Sequence, residues 1–443
     1  MSETIVALST PPGVSGLAVI RLSGPACTEA ARACLGRTDW KPRMLHAATF
    51  KHPASAEPLD QLAFHMLPGP ESPTGEDVLE IFPHGNPLLI ETLLRALLHV
   101  PGTRMAEAGE FTRRAFENGR IDLVQAEAVG ALIHAQSAAA LRNARRLLEG
   151  ALSAELRDLR DQLLDLSARL ELDTDFSEEE ADPDPASWRP RLERARTAVE
   201  KLLRGFERGR DWNRTPRIVV FGPPNAGKSS LVNALIGRER LLVSDIAGTT
   251  RDFVEVPLRI AGGLAQLVDT AGLGEAVDAL DALAMERTRA QLGDADVLLC
   301  VADGTSQYML DANDRNEDPA VLRVLTKSDL PGFVAPPAET GWIGVSSRTG
   351  VGLDTLFDAL ERRLRGSEET DEGPVAVTER QREALARACD RLRATEALLD
   401  GKPAVEVVAF EVREACTALR DLLGEVTPDA VLHRLFAGFC IGK

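Results

Sequence analysis

The sequence predicts a multidomain chain of mixed class, α/β plus all-α. It comprises an N-terminal α/β domain and a discontinuous helical domain with a second α/β domain inserted into it. Three observations lead there. Strand-like and helix-like segments alternate up to about residue 118. Ala/Leu/Arg/Glu-rich sequence runs from Ile121 to about Gly209 and resumes after residue 374. Strands reappear between those two stretches, from Arg217 to Arg365. At 443 residues the chain is long enough for two to four domains with cores of their own. The expected divisions are 1–118, 119–212, 213–368 and 369–443.

In the first domain TIVAL (4–8), LAVIRL (17–22), LAFHML (62–67) and VLEIF (78–82) have the apolar, β-branched character of strands. NPLLIETLLRALLHV (86–100) has helical periodicity. Leu148, Leu152, Leu156, Leu159, Leu163, Leu166 and Leu170 then recur at four- and three-residue steps, which predicts one long amphipathic helix with a packing seam. The acidic, proline-bearing DTDFSEEEADPDPASW (173–188) breaks it as a solvated loop, and another helix is expected over 189–208. RIVVFG, FVEVPLRI, LAQLVDT, DVLLCVAD, VLRVLTKSD and WIGVSS read as strands of the inserted α/β sheet. The polar GSEETDEGP (366–374) reads as the linker out of it. VTERQREALARACDRLRATEALL and VEVVAFEVREACTALRDLLGEV return to helix.

Composition removes several functional classes. A net charge of −17 argues against broad, nonspecific nucleic-acid binding, while leaving room for local basic grooves. No apolar run approaches the roughly 18 residues of a membrane span. MSETIVALST has neither the basic nor the hydrophobic region of a signal peptide. The six cysteines form no CxxC pair and have no histidines at metal spacing, as expected of reduced thiols. A cytoplasmic protein without a membrane partner is the expectation.

Chemistry is concentrated in the inserted domain. Gly222-Pro-Pro-Asn-Ala-Gly-Lys-Ser229 fits G-x-x-x-x-G-K-[ST] between a strand and a helix, the context that phosphate binding by this motif requires. Asn225, Ala226, Gly227, Lys228, Ser229 and Ser230 would surround the phosphates of GTP or GDP. Lys228 would reach the β/γ oxygens and the Ser229 hydroxyl would bind Mg²⁺. Ser244, Asp245, Ile246, Ala247, Gly248, Thr249 and Thr250 supply a switch segment in which Thr250 senses Mg²⁺ and the γ-phosphate. Asp269, Thr270, Ala271 and Gly272 supply the next, with the carboxylate in the Mg²⁺ shell and the glycine N–H at the γ-phosphate. Thr326-Lys327-Ser328-Asp329 resembles the guanine motif NKxD, and Asp329 can accept both the N1–H and the exocyclic amine of guanine. Ser346, Ser347 and Arg348 fit the last, weaker base contact. Two departures stand out. Thr326 replaces an asparagine that braces the loop, so lower guanine affinity is expected, with the hydroxyl compensating in part. Leu273 stands where Ras-like enzymes carry a water-orienting glutamine, and leucine cannot polarise water.

These motifs, the flanking helices and the terminal FCIGK resemble the MnmE (TrmE) family of tRNA-modification GTPases. TIVALSTPPGVSGLAVIRLSGP (4–25), TGEDVLEIFPHGNP (74–87) and GEFTRRAFENGRIDLVQAEAV (109–129) carry the resemblance across essentially the whole chain. It implies an N-terminal tetrahydrofolate-binding and dimerisation domain, a discontinuous helical domain and an inserted Ras-like P-loop G domain. It implies a K⁺ held by Asn225 and the carbonyls of Ser244, Ile246 and Thr249, supplying the positive charge that an arginine finger supplies elsewhere. Asp281 matches a glutamate that orients the attacking water; the carboxylate here is one methylene shorter, and Asp278 and Glu275 are neighbouring alternatives. Arg21, Glu80 and Arg120 match positions that bind 5-formyl- or 5,10-methylene-tetrahydrofolate. Lys443 would approach from the tail, and Cys440 would lie by the one-carbon unit as nucleophile or proton carrier. The implied partners are a second copy of the chain, a flavin-dependent MnmG protein and tRNA.

The tail keeps two readings. Gly442 and Lys443 do not fit a prenylation box. Alone, FAGFCIGK reads better as the end of a core helix, with Gly442 as its stop and Lys443 balancing the dipole; the resemblance makes it part of the folate site. A ribosome-assembly switch built on the same G domain would carry a basic KH module with a G-x-x-G loop, and only helices and FCIGK follow residue 370.

Overall fold

A computed structural model describes residues 3–175, 185–213, 215–239, 254–260, 263–269, 295–305, 321–336, 340–365, 375–376, 378–401 and 404–442. Its contacts separate two compact units. One comprises residues 1–133, 144–206 and 374–443; the other comprises 134–143 and 207–373. Among the described residues no helix is long and apolar enough to cross a membrane.

The first unit opens with a sheet of β1 (Thr4–Leu8), β2 (Ile20–Ser23), β3 (His46–Lys51), β4 (Pro58–Leu67), β5 (Val78–Phe82) and β6 (Thr103–Met105). Their order is β3-β4-β5-β2-β1-β6, antiparallel apart from β1 with β6. Strand alternation sorts the side chains. Ile20, Leu22, Phe64, Met66, Leu79 and Ile81 form a core with α1 (Cys27–Leu35) and α2 (Pro87–Leu97). Helix α2 starts where Asn86 accepts the N–H groups of Leu88 and Leu89, with Pro87 as its first residue. On the other face Ile5 and Ala7 pack with Ala106 and with Phe111 of α3 (Glu110–Glu117). A Schellman pair ends α3, Gly119 N–H to Phe116 C=O at 2.9 Å and Arg120 N–H to Ala115 C=O at 2.8 Å, and this sets where Arg120 leaves the helix. Sequence periodicity missed α1, β3 and β6. The small residues of CTEAARACL give a weak pattern, and β6 is only 3 residues long.

The second unit holds β7 (Arg217–Phe221), β8 (Val254–Ile260), β9 (Gly263–Asp269), β10 (Val297–Asp303), β11 (Val321–Thr326) and β12 (Trp342–Gly344), ordered β12-β11-β10-β7-β9-β8. All pairs are parallel except β8 with β9. Apolar strand residues such as Ile218, Val220, Leu299 and Val324 form one core with Leu231 and Leu235 of α8 (Lys228–Glu239) and Leu356 and Leu360 of α9 (Leu353–Arg365). The described parts of the expected strand segments lie in these strands or just beyond their ends.

The rest of the first unit is helical: α4 (Leu123–His134), α5 (Ala138–Leu148), α6 (Ala151–Asp175), α7 (Pro185–Asn213), α10 (Glu379–Leu398), α11 (Val405–Leu423) and α12 (Asp429–Ala437). Helices α5 and α7 straddle the division between units. The leucine seam expected as one helix from Leu148 is split, because Gly150 adopts φ 85° and ends α5. From Leu152 to Leu170 the seam is continuous on α6. It is buried against Leu192 and Val199, Leu385 and Leu392, and Val412 and Leu419.

One polar cluster crosses this apolar bundle. Glu127 of α4, with 5% of its side chain exposed, receives Arg380 at both carboxylate oxygens, each at 2.8 Å. Gln381 Nε2 donates at 2.6 Å and the Thr378 hydroxyl at 3.1 Å. Arg380 also donates to the carbonyls of Asp421 and Leu422, at 3.0 and 3.1 Å, where α11 ends. Removing one partner of a buried ion pair leaves the other charged and unpaired, at about 3–5 kcal/mol. Glu127→Ala is therefore expected to lower stability by about 3 kcal/mol, read from the urea midpoint of helical circular dichroism. An unchanged midpoint would refute the cluster's structural weight.

Candidate functional site

β7 leads into Gly222 and α8 leads away from Lys228, at the point where the strand order reverses between β9 and β10. Gly222 has φ 150°, and a Cβ there would lie 2.0 Å from the Val301 carbonyl oxygen. Only glycine lets the loop cross the end of β10 so closely. Asn225 has φ 60°, a left-handed conformation that asparagine tolerates better than most residues, and it is exposed. The buried Lys228 ammonium donates to the Gly222 and Pro223 carbonyls, both at 2.9 Å. Ser229 and Ser230 are exposed in the first turn of α8, where outward N–H groups and the helix dipole favour an anion.

The base-binding candidates share this edge of the sheet. Thr326, buried at the end of β11, donates its hydroxyl to the Ala226 carbonyl at 2.5 Å, with the Ala302 carbonyl farther off at 3.2 Å. The amide absent from the sequence motif is thus replaced by a hydroxyl that ties the two loops directly. Lys327 has φ 63° and its ammonium is 2.6 Å from Asp303 Oδ2. Burial pushes the Asp303 carboxyl up, but Lys327 and the N–H and hydroxyl of Thr305 outweigh it and hold the group below the usual carboxylate range. Buried Ser346 donates to Asp329 Oδ1 at 2.7 Å and receives the N–H groups of Arg348 and Thr349 at 3.2 and 3.1 Å. Asp329 and Arg348 are exposed, and Ser347 is half-buried. Asp303 and Thr305 escaped sequence reading, since DGT after a strand looks like any polar turn.

In the N-terminal sheet, Arg21 and Glu80 are cross-strand partners on the face of Ala7 and Phe111. Arg21 Nε donates to Glu80 Oε1 at 2.7 Å. His65, paired with Glu80 from β4, places Nε2 2.8 Å from Oε2, and the Arg21 guanidinium lies 5.8 Å from the Phe111 ring centre. Strand alternation was the only sequence signal for His65, and it needs the β4–β5 pairing to be legible. Among the described residues no hydrogen bond engages the terminal amino groups of Arg21, which can grip a carboxylate or carbonyl. This donor set fits an anionic, hydrogen-bonding ligand such as a folate. Arg120 is exposed beside Gly75, and Cys440 is exposed with its carbonyl 3.4 Å from the Gly109 N–H. No hydrogen bond or ion pair among the described residues joins either to the Arg21–Glu80 pair. Ala108 and Ile441 form a bridge, so the tail lies along the chain that enters α3.

Ser244, Asp245, Ile246, Ala247, Gly248, Thr249, Thr250, Thr270, Ala271, Gly272, Asp281 and Lys443 lie outside the described residues. Asp269 is described as the last residue of β9, paired with Val220.

Comparison with known proteins accounts for nearly the whole chain. Residues 4–120 match the family model described as GTP-binding protein TrmE N-terminus, and residues 123–440 match the MnmE helical domain. The tRNA modification GTPase MnmE of Parvibaculum lavamentivorans is 42% identical over 444 residues, covering 100% of both chains. That of Azorhizobium caulinodans is 40% identical over 444 residues, covering 100% of this chain and 99% of its own. That of Pseudomonas fluorescens is 39% identical over 458 residues, again covering 100% and 99%.

The Thr326 hydroxyl bond predicts a graded response. Thr326→Ala leaves the Ala226 carbonyl without its donor and should speed GDP release about tenfold, whereas Thr326→Ser should stay near the parent rate. Release of a fluorescent GDP analogue measures both, and equal rates in the two variants would contradict the brace.

Proposed function

The chain belongs to the MnmE family of tRNA modification GTPases, and on that footing we propose that it hydrolyses GTP to drive modification at C5 of the tRNA wobble uridine. The observation that carries the reading is the joining of the 222–229 loop to Thr326, with Asp329 held by Ser346 on the same edge of the sheet. That arrangement suits a phosphate chain at one end and a guanine base at the other.

On this reading Lys228 and the N–H groups at the start of α8 hold the phosphate oxygens, and the Asp329 carboxylate accepts the two guanine donors. Ser229 and Thr250, with the Asp269 carboxylate, would hold Mg²⁺, which would supply charge neutralisation at the phosphates. Asn225 and the carbonyls of Ser244, Ile246 and Thr249 would hold K⁺, which would supply further positive charge where the transition state gathers negative charge. Asp281 orients the water in the absence of a switch glutamine. The G domain, 213–368, is an insertion between helical segments 119–212 and 369–443.

The N-terminal domain, 1–118, would pair with its counterpart in a homodimer. It would bind 5-formyl- or 5,10-methylene-tetrahydrofolate, which supplies the one-carbon unit. Arg21, Glu80 and Arg120 would line the ligand site, with an arginine and Lys443 meeting the ligand's carboxylates, Glu80 accepting its donor groups and Cys440 lying by the one-carbon unit. A flavin-dependent MnmG partner contributes the redox chemistry, and an aminomethyl or carboxymethylaminomethyl group is added to the uridine.

The proposal is tested by GTP hydrolysis in K⁺ against Na⁺ at equal ionic strength. K⁺ should accelerate the parent chain by on the order of 10²-fold, and Asn225→Ala should abolish that stimulation. Stimulation of equal size in the variant refutes the ion's assignment to Asn225.

A further inference from the structure

The loop that carries Lys327 and Asp329 is fastened to the turn leaving β10 by more than the strand pairing requires. Asp303 and Thr326 are register partners at the ends of β10 and β11. Beyond that pair, Gly304 N–H donates to the Thr326 carbonyl at 3.1 Å and Val334 N–H donates to the Gly304 carbonyl at 3.1 Å. Phe333 closes over the turn so tightly that a Cβ at Gly304 would lie 2.4 Å from its ring. Lys327 meanwhile holds φ 63°, which is strained for a residue with a Cβ, and its ammonium reaches back 2.6 Å to Asp303 Oδ2. The other Asp303 oxygen is fixed by the Thr305 N–H at 2.9 Å and the Thr305 hydroxyl at 2.7 Å. The carboxylate is therefore oriented from its own strand before it meets the lysine.

We infer that Asp303 is a positioning residue for guanine recognition, acting through Lys327 and oriented by Thr305. The inference rests on the guanine-site reading above and extends it to a turn outside the nucleotide motifs. The charge-assisted bond holds Lys327 in its left-handed conformation. That conformation aims the backbone toward Asp329, two residues on, whose carboxylate is pinned from the other side by Ser346. The lysine charge is met at the sheet edge and its methylene stem is left as a fixed surface beside the base. Without Asp303 the lysine can relax, and the base loop loses one of its side-chain anchors to the neighbouring strand.

The test is dissociation of fluorescent GDP, with Mg²⁺ present, from the full-length chain. Asp303→Asn should speed release about tenfold and narrow the preference for GDP over IDP, which lacks the exocyclic amine. Lys327→Met should act similarly, and the double variant should be no worse than the worse single one, because both break one interaction. Additive effects, or an Asp303→Asn chain with parental release and selectivity, would overturn the inference. Should Asp303→Asn fail to fold, Thr305→Val removes only the orienting hydroxyl. It should speed release about threefold in the parent and leave the Lys327→Met rate unchanged; no change in the parent would likewise overturn the inference. A parent chain that does not prefer GDP over ADP would sink the guanine-site reading, a result distinct from failure of the Asp303 coupling.

Discussion

The phosphate loop follows β7 and the base loop follows β11, but β10 lies between those strands, so no ladder hydrogen bond can hold the two loops in register. The Thr326 hydroxyl spans the gap, 2.5 Å from the Ala226 carbonyl and above the last residues of β10. A buried bond of this kind nets only about 1 kcal/mol, yet an unmet buried carbonyl costs about 1–3 kcal/mol, so the loops are held mainly by what separation would cost. Lys228, anchored to the Gly222 and Pro223 carbonyls, and Asp329, anchored to Ser346, stand on either side of that joint. The distance between phosphate and base contacts is thereby set by the protein's own hydrogen bonds.

Much of this was legible in the sequence because the relevant physics is local. A strand, GPPNAGKS and a helix specify a phosphate loop without reference to the rest of the chain, and the strand alternation around Glu80 needs only a few residues. What escaped depends on pairings between distant segments. Gln381 and Thr378 form a capping box at the start of α10, but nothing near them in the sequence points to Glu127. Thr326 read as a weakened asparagine because its partner, Ala226, lies 100 residues away. The leucine spacing from 148 to 170 was visible, whereas the break at Gly150 was hidden by a periodicity that continues across it.

Two charged clusters in the first unit follow the same rule that burial must be compensated. Glu127 receives four donors from three residues of α10 and its cap. They stand at the very start of α10, so the chain is fixed where this helix begins. On the N-terminal sheet, Glu80 is shared by Arg21 and His65 across three strands, over an aromatic ring. The first cluster is saturated and shielded. The second is partly exposed, and its arginine has terminal donors left to offer.

The central claim is that nucleotide turnover at this joint serves tRNA modification. It is tested most directly by mass spectrometry of tRNA nucleosides from a strain lacking the chain, complemented either with the parent or with Lys228→Ala. Loss of the C5-aminomethyl-type wobble uridines, restored by the parent and not by the variant, is the result the account predicts. A nucleoside profile unchanged by the deletion, in a strain with no second copy, would contradict it.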